Sequence, residues 1–189
     1  MEERLKTYLW PGEQVRWQGQ PAPFPLLEGK MKNQILIKWI VTVVLGVALL
    51  AVYLSGNQEP SMGFIGLVLL VMVVVLVSPL VEYRNLQGMR YWVTDQRVIL
   101  MTRNQTFYYM ELGKIDGHKV LEGASTEKSL VLGSCLFEEA GQRLRWRAGH
   151  PKTDIQSHDH PDQAMGMILY GIRDAAEVEK LLRQRRSVT

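Results

Sequence analysis

The sequence predicts a membrane protein of the α+β class. A transmembrane helical hairpin precedes an antiparallel sheet that wraps on itself and is plugged by a C-terminal amphipathic helix. Three observations predict this. Two apolar blocks, each of about 20 residues, lie close together. A run of short strand patterns follows them, and the last pattern changes period from two to 3.6.

The chain has 189 residues, of which 47% are hydrophobic. Its mean hydropathy is only −0.06. That average combines two apolar blocks with ordinary soluble sequence. The first block, residues 35–54, reads ILIKWIVTVVLGVALLAVYL, with Lys38 its only charge. The second, residues 62–81, reads MGFIGLVLLVMVVVLVSPLV and has none. As helices each measures roughly 30 Å, the thickness of a bilayer core. Neither shows the polar face of an amphipathic helix. Their many valines do not favour strand, because lipid cannot satisfy an open strand's backbone groups.

Lys38 lies in the first turn of its block and is expected to extend its ammonium to the headgroups, with Trp39 beside it at the interface. Pro79 falls near the end of the second block, where a kink is tolerated. The linker SGNQEPS carries no Lys or Arg, whereas Lys30 and Lys32 precede the hairpin and Arg84, Arg90 and Arg97 follow it. The positive-inside rule then sets both termini in the cytoplasm, with Arg84 at the membrane interface. No ionisable residue sits at mid-membrane depth, which argues against an ion or proton pathway. Gly46 and Ala48 lie deep enough to permit close helix contact, without a full GxxxG pattern.

Residues 1–34 form a cytoplasmic N-terminal segment. Residues 1–9 suit a short helix ended by Pro11 and Gly12. Residues 13–19 (EQVRWQG) alternate like a half-buried strand. Pro21, Pro23 and Pro25 stiffen the approach to the membrane. Trp10, Trp17 and Phe24 are expected either to pack on the soluble domain or to meet the interface.

Residues 82–189 suffice for one compact domain. Strands are expected at 89–94 and 97–102 around an Asp95-Gln96 turn, then at 106–112, 114–122, 129–133, 143–148 and 165–172. Asp174 and Glu177 suit a helix start, and Ala175, Val178, Leu181 and Leu182 share one apolar face.

Three stretches resemble a known family. YWVTDQRVIL (residues 91–100) is similar to the Y-x-x-T-x-x-R strand pair of bacterial PH domains. LWPGEQVRWQGQP (residues 9–21) resembles the L-x-P-G-E lead-in that precedes their membrane helices, and YGIRDAAEVEKLL (residues 170–182) their closing strand and helix. The resemblance implies a PH-like antiparallel β-barrel at the bacterial inner membrane, multi-pass, with no enzyme activity, and some relatives form rings.

The net charge of +3 does not indicate nucleic-acid binding. No nucleophile elbow, P-loop or Cys-His pair is present. Cys135, the only cysteine, follows an apolar run and is expected to be buried. The His150–His160 loop, which also holds His158 and Asp159, matches no standard zinc spacing, so no metal and no cofactor is expected. The Asp95-Gln96 loop is too short and acidic for specific phosphoinositide recognition. Residues 149–163 are expected to be a long polar inter-strand loop. In residues 143–147, Arg143, Arg145 and Arg147 fall on one strand face, opposite Leu144 and Trp146. Such a stripe suits an acidic protein surface or anionic headgroups.

The expected function is a membrane-tethered binding or scaffolding module, with the lipid bilayer and either a membrane protein or its own copies as partners. The alternatives are a membrane-embedded enzyme or metal-dependent factor using the His150–His160 loop, and a domain sensing anionic lipid in general.

Overall fold

The structure is a computed structural model that describes residues 2–22, 29–56, 59–122, 128–137, 153–154 and 160–186. In chain order the elements are α1 (Glu2–Tyr8), β1 (Val15–Gly19), α2 (Gly29–Gly56), α3 (Met62–Gln87), β2 (Arg90–Thr94), β3 (Arg97–Met101), β4 (Phe107–Glu111), β5 (His118–Glu122), β6 (Lys128–Leu132), β7 (Thr153–Asp154), β8 (Gly166–Ile172) and α4 (Ala175–Arg186).

The two apolar blocks form α2 and α3, both long and apolar enough to cross a membrane. Only 11% of each apolar window is buried, which separates them from the core helices of a soluble protein. Ile40, Val44, Leu45, Leu70 and Val74 all face outward. The helices run antiparallel. Lys38 contacts Ser78 near one end, and the Tyr53 and Phe64 rings lie 4.3 Å apart near the other. Gly46 gives Met72 room to lie against α2.

The strands form two antiparallel four-stranded sheets, β1-β2-β3-β4 and β5-β6-β8-β7. Among the described residues the ladders do not join into a single sheet, which corrects the expectation of one closed barrel. The sheets are stitched at their corners instead. The Ala22 N–H donates to the Gly171 carbonyl, and Tyr109 exchanges backbone bonds with Asp162 and Ala164. The ladder β1-β2 also carries the N-terminal segment into the same folded body as the residues after α3.

Period-two alternation sorts the first sheet's side chains. Tyr91, Val93, Val98, Leu100 and Met110 face the second sheet. Trp92, Ile99, Met101 and Tyr109 face outward, where Leu5 of α1 covers them. From the second sheet Leu130, Leu132, Met167 and Leu169 complete the core. Its far face holds Val131 and Ile168 under Leu136. The open side is closed by Ala175, Val178 and Leu182 of α4, and by Leu86 near the end of α3. The helix plug thus has the expected face, with Leu181 only partly buried at its margin.

A bulge in β8 explains one resemblance motif. The β6-β8 register shifts between Lys128 and Leu130, and Gly171 there has a φ of 54°, which favours glycine. The bulge frees two N–H groups from the ladder. Tyr170 N–H donates to the Tyr91 hydroxyl at 3.1 Å, and Gly171 N–H to Ser129 Oγ at 3.1 Å. Tyr91, wholly buried on β2, thereby ties the first sheet to the second.

Three further expectations change. Residues 153–154, assigned to a loop, form β7 against Met167 and Gly166 of β8. Cys135 is exposed rather than buried, because its short 3-10 turn points Leu136 into the core. Arg97 adds no charge to the membrane flank, being buried in an ion pair. The expected strand at 143–148 lies outside the described residues, as does Phe24.

Candidate functional site

Two polar assemblies flank the junction between the hairpin and the sheets. The first is buried. Glu13 follows the Pro11-Gly12 turn, and Arg97 opens β3 after the Thr94–Arg97 turn. The guanidinium grips the carboxylate bidentately: Nε donates to Oε1 and Nη2 to Oε2, both at 2.9 Å. The side chains are 1% and 0% exposed. Thr94 donates its hydroxyl proton to Glu13 Oε1 at 2.7 Å and accepts the Gln96 and Arg97 N–H groups. The Trp10 N–H supplies another bond to Glu13, and Arg97 also reaches the Tyr8 carbonyl. The guanidinium carbon lies over the rings of Trp10 (4.2 Å), Tyr8 and Tyr109 (both 4.9 Å). Burial acts to raise the Glu13 carboxyl, but the bonds from Arg97, Thr94 and Trp10 outweigh it and hold it below the usual range. An interior this well satisfied fastens the chain and leaves no group for chemistry.

Trp17, left open between packing and interface, packs into the core from β1. Trp10 lies against Arg97 and meets Tyr109 edge-on at 5.8 Å.

The second assembly lies along the hairpin. Lys38 Nζ donates to Ser78 Oγ at 2.9 Å, and Trp39 Nε1 donates to the Leu76 carbonyl at 3.0 Å. Both residues expected at the interface therefore reach across to α3. Pro79 has no N–H for the Val75 carbonyl four residues earlier. The Ser78 hydroxyl donates to that carbonyl at 2.9 Å instead. Ser78 thus repairs the proline defect and receives Lys38.

Towards the sheets, Lys32 lies six residues before Lys38, and Arg84 six residues after Ser78. In an antiparallel pair this sets both at the same height, roughly 9 Å beyond the Lys38–Ser78 contact. Gly88 is one turn past Arg84 on the same helix face. The stem of Arg103 crosses it so closely that a Cβ there would come 2.7 Å from Arg103 Cβ and Cγ. Lys32, Arg84 and Arg103 are all exposed, and none is in an ion pair among the described residues. Sequence reading found Lys32 and Arg84 but missed Arg103, whose place in a tight turn gives no sign of what it lies against.

Elsewhere Glu179 of α4 meets Arg183 at 2.5 Å and His118 of β5 at 3.4 Å. The Arg183 bond chiefly holds its carboxyl below the usual range, against a small opposing effect of burial. No group of three or more His, Cys, Asp or Glu able to hold a metal exists among the described residues. His160 is exposed on a turn, while His150, His158 and Asp159 lie outside the described residues, as do Arg143, Arg145 and Arg147.

The chain matches no protein-family model, no curated protein and no solved structure.

Proposed function

We propose that this chain is a membrane-tethered, non-enzymatic PH-like module of the bacterial inner membrane. Its hairpin spans the bilayer with both termini cytoplasmic, and its sheets present a docking surface to a membrane-protein partner or to further copies of the chain. The observation that carries this reading is the continuity of α3 with the core. The helix has 26 residues, roughly 39 Å, about 9 Å more than a bilayer core needs. That excess matches its final turns, where Tyr83 and Leu86 pack into the sheets. A domain joined this way has no flexible linker. Its orientation over the membrane is set by the hairpin, which favours stereospecific docking over loose recruitment.

The PH-like part of the reading is supported by where the resembling motifs meet. Glu13 of the lead-in binds Thr94 and Arg97 of the strand pair, and Tyr91 of that pair binds the backbone of Tyr170 in the closing strand. The docking residues in this proposal are Arg143, Arg145 and Arg147. Mild-detergent purification from native membranes, with native mass spectrometry, tests it. A stoichiometric partner or a defined homo-oligomer is expected, and replacing the three arginines with Gln weakens it, by an amount that shrinks as salt rises. A monomer without partner, in the wild type, rejects the scaffold reading.

A further inference from the structure

We propose that Lys32, Arg84 and Arg103 form a binding site for the phosphate of an anionic glycerophospholipid, at the end of the hairpin that meets the sheets. The inference rests on the reading that the hairpin spans a bilayer.

Three features point to this occupant. The first is height. Lys32 and Arg84 share one level, about 9 Å beyond the Lys38–Ser78 contact, where headgroups begin if Trp39 marks the hydrocarbon edge. The second is convergence from separate elements. Lys32 comes from α2, Arg84 from α3 and Arg103 from the β3-β4 turn. A backbone bond from the Thr102 N–H to the Thr106 carbonyl fixes that turn, and Arg103 crosses Gly88 at the C-cap of α3, where no side chain blocks it. The third is uncompensated charge. These cations have no carboxylate partner among the described residues, whereas Arg97 and Arg183 do. The hairpin is also electrically lopsided, since Glu59 is the only charged residue from Trp39 to Val81. An anion is therefore attracted to the sheet end and repelled from the linker end.

Arginine forks suit phosphate oxygens, and a lysine adds a third, mobile donor. The site differs in kind from the docking role proposed for Arg143, Arg145 and Arg147: it reads a lipid and not a partner protein. A lipid held there would brace the joint between α3 and the domain.

The test uses the full-length protein in phosphatidylcholine nanodiscs containing phosphatidylglycerol, with native mass spectrometry counting retained lipids. The wild type is expected to retain phosphatidylglycerol preferentially. Each arginine near a membrane surface is worth about 1 kcal/mol, so Arg84→Gln and Arg103→Gln each lower the preference roughly fivefold, and together roughly 25-fold. Lys32→Gln, on an exposed helix face, lowers it in the same direction without touching the core. Lys114→Gln, paired with Glu111 away from the hairpin, leaves it unchanged. Equal retention of both lipids by the wild type, or an unchanged preference in the double variant and in Lys32→Gln, overturns the proposal. Displacement of the lipid by inorganic phosphate reassigns the site to free phosphate and overturns the lipid assignment. Carbonate extraction of native membranes separates the two levels of failure. Release of the chain into the wash rejects the spanning reading itself, whereas retention with no lipid preference rejects only this site.

Discussion

Glu13 and Arg97 stand 84 positions apart, on opposite sides of the entire hairpin, yet form a bidentate pair shielded from water. The pair closes the loop that contains both apolar helices. It binds the chain entering the hairpin to the chain leaving it.

Breaking such a pair from one side is costly, because the remaining charge stays buried. Arg97→Met is expected to destabilise the sheets by about 3–5 kcal/mol, and Glu13→Gln by a similar amount. The double variant strands no charge and should cost less than the sum of the two. Thermal unfolding in detergent, followed by near-ultraviolet circular dichroism, measures this cycle. Strict additivity would show that the two residues act independently.

The same pair sets a pH dependence. The Glu13 carboxyl titrates below its ordinary value of 4.5 in the folded protein. A depressed carboxyl contributes stability that is complete above the unfolded value and is lost as pH falls through the folded one. Stability should therefore decline as pH drops below about 4.5, and Glu13→Gln should flatten that part of the profile. An identical acid limb in the variant would assign the decline to other carboxylates.

Tyr91 supports a second junction. Its hydroxyl accepts the Tyr170 N–H that the β8 bulge removes from the ladder, and burial pushes the phenol well above its ordinary value, so it stays neutral. Tyr91→Phe leaves a buried N–H without an acceptor and is expected to cost about 1–3 kcal/mol. Tyr108→Phe, on a partly exposed position, serves as the comparison and should be nearly neutral. Equal effects on the melting temperature would remove the special role of the bulge.

Much of this architecture is legible in the sequence because its signals are local. Block length announces α2 and α3, and period two announces β2, β3 and β8. Asp95-Gln96 marks its hairpin, and the face of Val178 and Leu182 marks α4. What escapes is set by long-range pairing. Nothing near Glu13 says that it meets Arg97, so Arg97 reads as a flank charge. Nothing in the spacing separates two stitched sheets from one closed barrel, because the distinction lies in a few bonds such as Ala22 to Gly171. Cys135 misleads because a 3-10 turn changes which residue of an apolar run faces inward. The Ser78-Pro79 pair was a readable clue: a hydroxyl just before a helix proline is well placed to serve the carbonyl that the proline abandons.

The exposed Cys135 offers a test of topology with no engineering. It is the only cysteine of the chain and sits on the sheet domain. With the domain in the cytoplasm, a membrane-impermeant maleimide should label it only after the cells are permeabilised. Labelling of intact cells at the same rate would place the domain on the outer side.

The final prediction concerns Ser78, which serves two partners at once. Its hydroxyl donates to the Val75 carbonyl left by Pro79 and accepts from Lys38 Nζ. Ser78→Ala removes both bonds, exposing a backbone carbonyl and an ammonium beside hydrocarbon. Lys38→Met removes only the interhelical bond, and its apolar chain suits the surroundings. Polar contacts between membrane helices are worth about 0.6–2 kcal/mol. Ser78→Ala is therefore expected to weaken the hairpin by about 1–2 kcal/mol, and Lys38→Met by less than about 1 kcal/mol. Unfolding in mixed micelles of rising dodecyl sulfate fraction gives both values on one scale. A larger loss for Lys38→Met would mean that the lysine holds the hairpin through its charge, and that repair of the proline defect is secondary.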